Sequence, residues 1–135
     1  MKIVVIDGQG GRMGLAIIEG LKAAGVKAEI IAVGTNSAAT VTMMSGKADA
    51  GATGENAVIV NAREADYIIG PIGIVVADSL HGEISPQMAV AVGQSKARKI
   101  LLPMSRCNTC IAGVQDMPFG EMIRLAVSQI PSDCV

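Results

Sequence analysis

The sequence has almost no aromatic side chains: one tyrosine, one phenylalanine and no tryptophan in 135 residues. Since half of its residues are hydrophobic, the core must be built from aliphatic side chains. The formal net charge is −1, from 11 basic and 12 acidic residues. Nucleic-acid binding usually needs a basic face and often stacking aromatics, so we expect no nucleic-acid partner.

Charged residues, cysteines and long apolar runs are also scarce. Only 17% of the residues are charged, which is low for a small monomer and predicts a homo-oligomer. Three cysteines, an odd number, indicate free thiols and not a disulfide framework. The chain starts without a signal-peptide pattern, and the apolar run at residues 67–77 is too short to span a bilayer. We expect a cytoplasmic protein with no membrane segment.

What the sequence does contain is an alternation of strand-like and helix-like segments. Residues 2–6 form a short apolar run, typical of a strand buried on both faces. A helix with one apolar stripe begins at about Gly11 and ends at Gly25, and residues 28–33 form a second buried strand. A strand, glycine loop, helix and strand in this order predict a right-handed parallel βαβ unit.

The alternation continues to the end of the chain. Ser37 is suited to cap a helix, Ser85 is suited to cap another, and residues 55–63 favour a helix although their β-branched side chains also suit a strand. We predict strands at 66–70 and 99–103, a final helix at 118–130, and either a helix or a strand at 72–80. The prediction is an α/β fold: a single Rossmann-like domain over residues 1–135. Its doubly wound, mostly parallel sheet would have four or five strands and helices on both faces.

The stretch GQGGRMG, residues 8–14, directly follows the first strand. A phosphate loop needs glycine where the backbone turns with positive φ and where it approaches a pyrophosphate. The helix that follows offers free N–H groups to the phosphates. The pattern therefore predicts a nucleotide site, and the alternative is a tight turn without a ligand.

The sequence of this stretch resembles the phosphate loop of dihydrodipicolinate reductase, in which a strand leads into G-x-G-G-R-M-G and a helix. The whole chain is similar to small Rossmann-like bacterial proteins, but the resemblance to the reductase covers only the N-terminal quarter. In that family the module binds NADH or NADPH. Carried over by position, the resemblance implies a nucleotide site lined by Gly8, Gln9, Gly11, Arg12 and Met13. The glycine spacing itself adds Gly10, where the backbone can approach a pyrophosphate.

Two departures from that family bear on function. Asp7 stands where the family has a small residue, and a carboxylate beside bound phosphates would repel them. Its carboxylate either points into the N–H groups of the loop or binds a ribose or a substrate. The catalytic stretch of the family, with paired histidines and a lysine, has no counterpart, since His81 is the one histidine here. The reductase activity is therefore not implied.

Two further segments follow predicted strands. At the end of the second strand, GTNS has neither the acid that binds ribose hydroxyls nor an arginine for a 2′-phosphate. Thr35 and Asn36 can hydrogen-bond a ribose or a phosphate, which favours NADP or a smaller nucleotide. After the third predicted strand, Gly70 and Pro71 begin the stretch GPIG. Because its glycines have no side chains, a ligand can lie close to its backbone. The alternative is a plain turn.

Two polar clusters have competing interpretations. His81 lies among Asp78, Ser79 and Glu83, as a general acid or base or as an ordinary surface histidine. Cys107 and Cys110 form a C-x-x-C. They fit a redox pair, half of a zinc site completed by Cys134 or a second subunit, or plain buried thiols.

The preferred function is an NAD(P)- or nucleotide-binding protein, with NADP or NAD as cofactor and no metal. No residue set qualifies as catalytic. An oxidoreductase would complete its active site across a subunit interface with GPIG and His81. The alternatives are a non-enzymatic nucleotide sensor or regulatory subunit, and a thiol or metal-binding protein that uses the C-x-x-C.

Overall fold

The computed structural model describes residues 1–103 and 108–134. Short 3-10 turns cover Ile72–Val75 and Ser132–Cys134. The strands and helices are, in chain order, β1 (Lys2–Asp7), α1 (Arg12–Ala23), β2 (Glu29–Gly34), α2 (Ser37–Met44), β3 (Ala50–Thr53), α3 (Glu55–Glu64), β4 (Tyr67–Pro71), α4 (Pro86–Gln94), β5 (Arg98–Leu102) and α5 (Phe119–Val127).

Five strands of the described chain form one parallel sheet in the order β3-β2-β1-β4-β5. Asp7 at the end of β1 lies opposite Gly34 at the end of β2. The chain builds outward from β1 through β2 to β3, and then crosses to the other side of β1 for β4 and β5. This is the Rossmann order, and its reversal between β1 and β4 opens a crevice at the carboxyl ends of those strands.

Helices cover both faces of the sheet because the strand side chains alternate between them. Ile3 and Val5 of β1 belong to the core beneath α1, α2 and α5. Val4 and Ile6 belong to the core beneath α3 and α4. This two-sided burial explains the unbroken apolar run of β1. The predicted α/β fold, with its doubly wound parallel sheet and helices on both faces, is confirmed.

The core is aliphatic, as the composition predicts. The largest fully buried side chains are isoleucine, leucine and methionine, whereas Tyr67 is half-buried and Phe119 is 47% exposed. In the described part of the chain, no helix is long and apolar enough to cross a membrane.

The strand β3 is missing from the sequence prediction, so the strand predicted third, at residues 66–70, is the fourth. Ala50–Thr53 contains only small residues, and three of the four are exposed. An edge strand whose side chains are mostly exposed needs no run of β-branched residues. The hydrophobic pattern that reveals a central strand is therefore absent.

Two helix starts test the capping predictions. The cap of α2 is Asn36 and not Ser37: the Oδ1 atom of Asn36 accepts a hydrogen bond from the N–H of Ala39 at 2.8 Å. Asn36 has the extended backbone that a cap requires, and Ser37 is already helical. The cap at Ser85 is confirmed, because its Oγ accepts from the N–H of Met88 at 3.2 Å. The helix predicted at 55–63 is also confirmed, as α3.

The packing of β4 against β1 generates a stability prediction at Gly70. A methyl group there would collide with the backbone carbonyl oxygen of Ile6, and a strand pairing cannot shift to make room. We expect Gly70→Ala to lower the free energy of unfolding by about 2–3 kcal/mol. Gly93→Ala is the control, because Gly93 lies in α4 with nothing within 4 Å of an added Cβ, and it should gain up to about 1 kcal/mol. Equal stabilities of the two variants in urea unfolding would contradict the prediction.

Candidate functional site

A cleft of about 1030 Å³ lies at the carboxyl ends of β1 and β4. Its walls are the glycine loop (residues 8–14) with the outer face of α1, the segment 76–81, and the start of α5 at Phe119. This is the crevice that the strand order predicts, where ligands bind in open α/β sheets. Of the predicted site residues, it is lined by Gly8, Gln9, Gly10, Gly11, Arg12, Met13 and Pro71.

The other predicted site residues lie outside this cleft wall. Gly70 is buried within β4, where the approach of Ile6 accounts for the glycine. Thr35 and Asn36 lie on the β2 side of the glycine loop, and both contact the carboxylate of Glu83.

The carboxylate of Asp7 points inward, into the N–H groups of the glycine loop. Its Oδ1 accepts from the N–H of Gly8 at 2.8 Å and its Oδ2 from the N–H of Gly14 at 2.7 Å. Asp7 is 6% exposed, and this burial raises the pKa of its carboxyl although hydrogen bonds from Gly14, Gly8 and Met13 partly lower it. Of the two alternatives left by the sequence, the structure selects the contact with the loop.

Asp7 therefore caps α1 from inside the protein. The residue that precedes the helix, Gly11, has φ 73° and no side chain to do so, and an added Cβ would lie 2.6 Å from the carbonyl oxygen of Ala39. Gly11 is thus required by the turn and by its contact with α2. The carboxylate satisfies helix N–H groups that otherwise lack an acceptor.

Two N–H groups of the glycine loop remain available on the outside. Those of Gly10 and Arg12 have no acceptor among residues 1–103 and 108–134, whereas the N–H of Gly11 bonds the carbonyl oxygen of Gly8 at 2.9 Å. The guanidinium of Arg12 also forms no ion pair within those ranges. An exposed helix start with free N–H groups and a free cation is suited to bind an anion.

Gly10 differs from the neighbouring glycines. An added Cβ would meet nothing nearer than 3.9 Å, the Cγ of Arg12, and its φ is not in the left-handed region. At Gly8, by contrast, a Cβ would lie 2.7 Å from the Oγ1 of Thr35. A side chain at position 8 would therefore have to displace the side chains of Thr35 and Leu80, whereas position 10 has room for one. The absence of a side chain at position 10 keeps the loop accessible from the cleft.

The carboxylate of Glu83 contacts the glycine loop from the β2 side. Its Oε1 accepts from the Oγ1 of Thr35 at 2.6 Å, from the Nδ2 of Asn36 at 2.6 Å and from the N–H of Gln9 at 3.0 Å. Partial burial raises the pKa of Glu83, but these hydrogen bonds outweigh it, so the pKa lies below its ordinary value. Glu83 is therefore an anion near neutral pH.

Glu83 is the site residue that sequence reasoning missed. Its one signal was its membership of the polar cluster around His81. Its contact with Thr35 spans 48 residues of chain, and no local pattern indicates a contact at that separation. The carboxylate that GTNS lacks at the end of β2 is supplied from a different loop.

The segment that carries Glu83 has an unusual backbone. Residues 72–80 are neither the helix nor the strand expected, but a 3-10 turn followed by turns. Asp78, Leu80 and His81 have φ of 65°, 54° and 55°, which side-chain-bearing residues seldom adopt. His81 lines the cleft and forms no hydrogen bond within the described chain.

The thiol interpretation falls partly outside the described residues, because Cys107 and the neighbouring Arg106 are not among them. Cys110 is free and exposed, and Cys134 is free and half-buried. Across residues 1–103 and 108–134, no three histidine, cysteine or acidic side chains are grouped to hold a metal ion.

Comparison with known proteins identifies the family. The chain belongs to the family described as Domain of unknown function (DUF3842), whose model matches residues 2–134. No curated protein is significantly similar in sequence. A dodecameric FMN-dependent UbiX-like decarboxylase from Escherichia coli O157:H7 is similar in structure over 96% of this chain and 76% of that chain, with 21% identity and a TM-score of 0.49. A likeness of this degree carries no argument about a ligand or a reaction.

The buried carboxylate of Asp7 predicts a pH effect on stability. The native state holds its proton more tightly than the unfolded chain, where the pKa is near 3.8. Ionisation therefore costs stability as the pH rises from that value through the native pKa. The free energy of unfolding of the wild type, minus that of Asp7→Asn, should be larger near pH 4 than near pH 7. Urea unfolding at the two pH values measures it, and a difference that grows with pH would contradict the assignment.

Proposed function

We propose that this member of the DUF3842 family binds a nucleotide in the cleft, with a phosphate group against the outer side of the glycine loop. The observation that carries the proposal is the environment of Gly10, which has two features. Its N–H has no acceptor in the described residues, and packing does not require its lack of a side chain. A bound phosphate accounts for both, because it accepts the hydrogen bond and needs close approach to the backbone.

Charge at the glycine loop favours the same ligand group, whereas the carboxylates of Glu19 and Asp78 lie elsewhere in the cleft lining. The cationic side chain of Arg12 and the positive end of the α1 dipole face the cleft. The carboxylate of Asp7 is turned away from it, into the N–H groups of Gly8 and Gly14. The repulsion expected from an aspartate in this loop is thereby reduced.

NADP or NAD is the proposed nucleotide, since GQGGRMG resembles the NAD(P)-binding loop of dihydrodipicolinate reductase. On that resemblance the residues in contact are Gly8, Gln9, Gly11, Arg12 and Met13, and the glycine spacing adds Gly10. Thr35, Asn36 and Pro71 lie at the neighbouring strand ends.

The proposal stops at binding and does not extend to catalysis. His81, the one candidate acid or base from the sequence, has no hydrogen-bonding partner among the described residues to orient it. A sensor or regulatory protein needs only the binding step. An oxidoreductase would need further groups, which a second subunit can supply.

Self-association in the cytoplasm belongs to the same proposal. Val41 is 71% exposed and Val90 is 52% exposed, and the low fraction of charged residues leaves apolar surface for contacts between copies.

Thermal unfolding with NAD, NADP and their reduced forms tests the proposal. A ligand that binds only the native protein raises the midpoint, by several degrees at a hundredfold excess over Kd. Gly10→Asp should abolish this rise because its carboxylate repels the phosphate, while the midpoint without ligand changes by no more than about 2 °C.

Gly93→Asp is the matched control, since it adds the same charge at another exposed glycine with open space around it. It should retain the ligand-induced rise. No rise for the wild type with any of these nucleotides, or an undiminished rise in Gly10→Asp, would contradict phosphate binding at this loop.

A further inference from the structure

We infer that Glu83 determines which nucleotide the site accepts, by fixing a carboxylate at the end of β2 where a ribose 2′-phosphate would lie. This inference rests on the proposed function. It assigns a specificity role to a residue from the connection between β4 and α4, outside the glycine loop and outside β2. It predicts a preference for NAD(H) over NADP(H), the reverse of what GTNS alone indicates.

The position of Glu83 is the first argument. In a sheet of this strand order, the ribose of a dinucleotide lies between the glycine loop and the end of the second strand. The Oε1 atom of Glu83 is in hydrogen-bond contact with both, through the N–H of Gln9 on one side and the side chains of Thr35 and Asn36 on the other. A carboxylate at this point binds ribose hydroxyls in NAD sites.

The rigidity of this placement is the second argument. The backbone beside Glu83 is tied down by hydrogen bonds from the N–H of Asp78 to the carbonyl of Ile84 at 2.7 Å, and from the N–H of Ile84 to the carbonyl of Ser79 at 3.2 Å. The side chain of Ile84 is 1% exposed. The Glu83 carboxylate accepts hydrogen bonds from three donors and its neighbour Ile84 is buried, so its position is fixed.

Charge is the third argument. Glu83 is anionic near neutral pH, and within the described residues no lysine or arginine forms an ion pair with it. The titratable groups with an electrostatic effect on or from Glu83 are the carboxylate of Asp7 behind the loop and the imidazole of His81 on the same segment, and the cationic Arg12 lies in the glycine loop on the cleft side. A 2′-phosphate would meet a fixed negative charge at short range, and charge repulsion there is large.

The same donors are compatible with an alternative model, and the experiment below distinguishes the two. Thr35, Asn36 and the N–H of Gln9 would suit a phosphate oxygen if Glu83 moved aside. In that model Glu83 only occupies an anion site until NADP displaces it, and the wild type would prefer NADP.

Dissociation constants of NADH and NADPH for four purified proteins, the wild type and three variants, test the inference by calorimetry. For the wild type, we expect NADPH to bind at least about tenfold more weakly than NADH. Glu83→Gln keeps an acceptor oxygen for Thr35 and removes the charge, so the ratio should fall to within about threefold. Glu29→Gln removes an equal charge at the start of β2, the opposite end of the sheet, and should keep the wild-type ratio. Glu83→Asp keeps the charge and, if Glu83→Gln unfolds, should still show the preference for NADH.

Each other outcome has a definite meaning. Equal affinities for the wild type, a preference for NADPH, or a ratio unchanged by Glu83→Gln would overturn the role of Glu83. Those results would leave the proposed function intact, since both ligands still bind. If neither ligand binds the wild type, the proposed function fails and this inference fails with it.

Discussion

The hydrogen bonds between the Asp7 carboxylate and the two ends of the glycine loop are the constraint on which the rest of the site depends. One oxygen binds the N–H of Gly8 and the other binds the N–H of Gly14, so the loop closes around the end of β1. This closure sets where α1 begins and makes the chain turn at Gly11. The N–H groups of Gly10 and Arg12 are left on the outside. A buried carboxylate is unfavourable unless it is hydrogen-bonded, and its raised pKa shows that the compensation is incomplete.

Two carboxylates then divide the donors of the glycine loop between them. Asp7 takes the inner ones, and Glu83 takes the N–H of Gln9 from the β2 side. The proposed phosphate site is confined to what remains, the side facing α1 and the segment 76–81. The two anions also influence each other, because the charge of Glu83 adds to the effects that raise the pKa of Asp7. Of the charged side chains in this loop, Arg12 is the one left to balance a ligand's charge.

Sequence reasoning succeeded where structure depends on residues close together in the chain. The strand β1 is a continuous apolar run, Ser85 caps its own helix, and the glycine loop follows from seven consecutive residues. It failed for β3, an exposed edge strand of small residues. It also failed for Glu83, whose position depends on a turn returning to the end of a distant strand. The glycine pattern by itself did not distinguish Gly10 from Gly8 and Gly11, since only the surrounding packing separates an accessible glycine from one that the fold requires.

The backbone of the segment before Glu83 is strained. Asp78, Leu80 and His81 each hold a positive φ, and such conformations cost on the order of 1 kcal/mol or more apiece. Local hydrogen bonds and the buried side chain of Ile84 hold the segment in place, but they do not explain why it takes a strained path. The path brings Leu80 within 2.9 Å of where a Cβ of Gly8 would be and sets the Glu83 carboxylate beside it. Strain of this kind is concentrated at functional sites, which supports the proposal that this segment sets the specificity of the site while the glycine loop binds the phosphate.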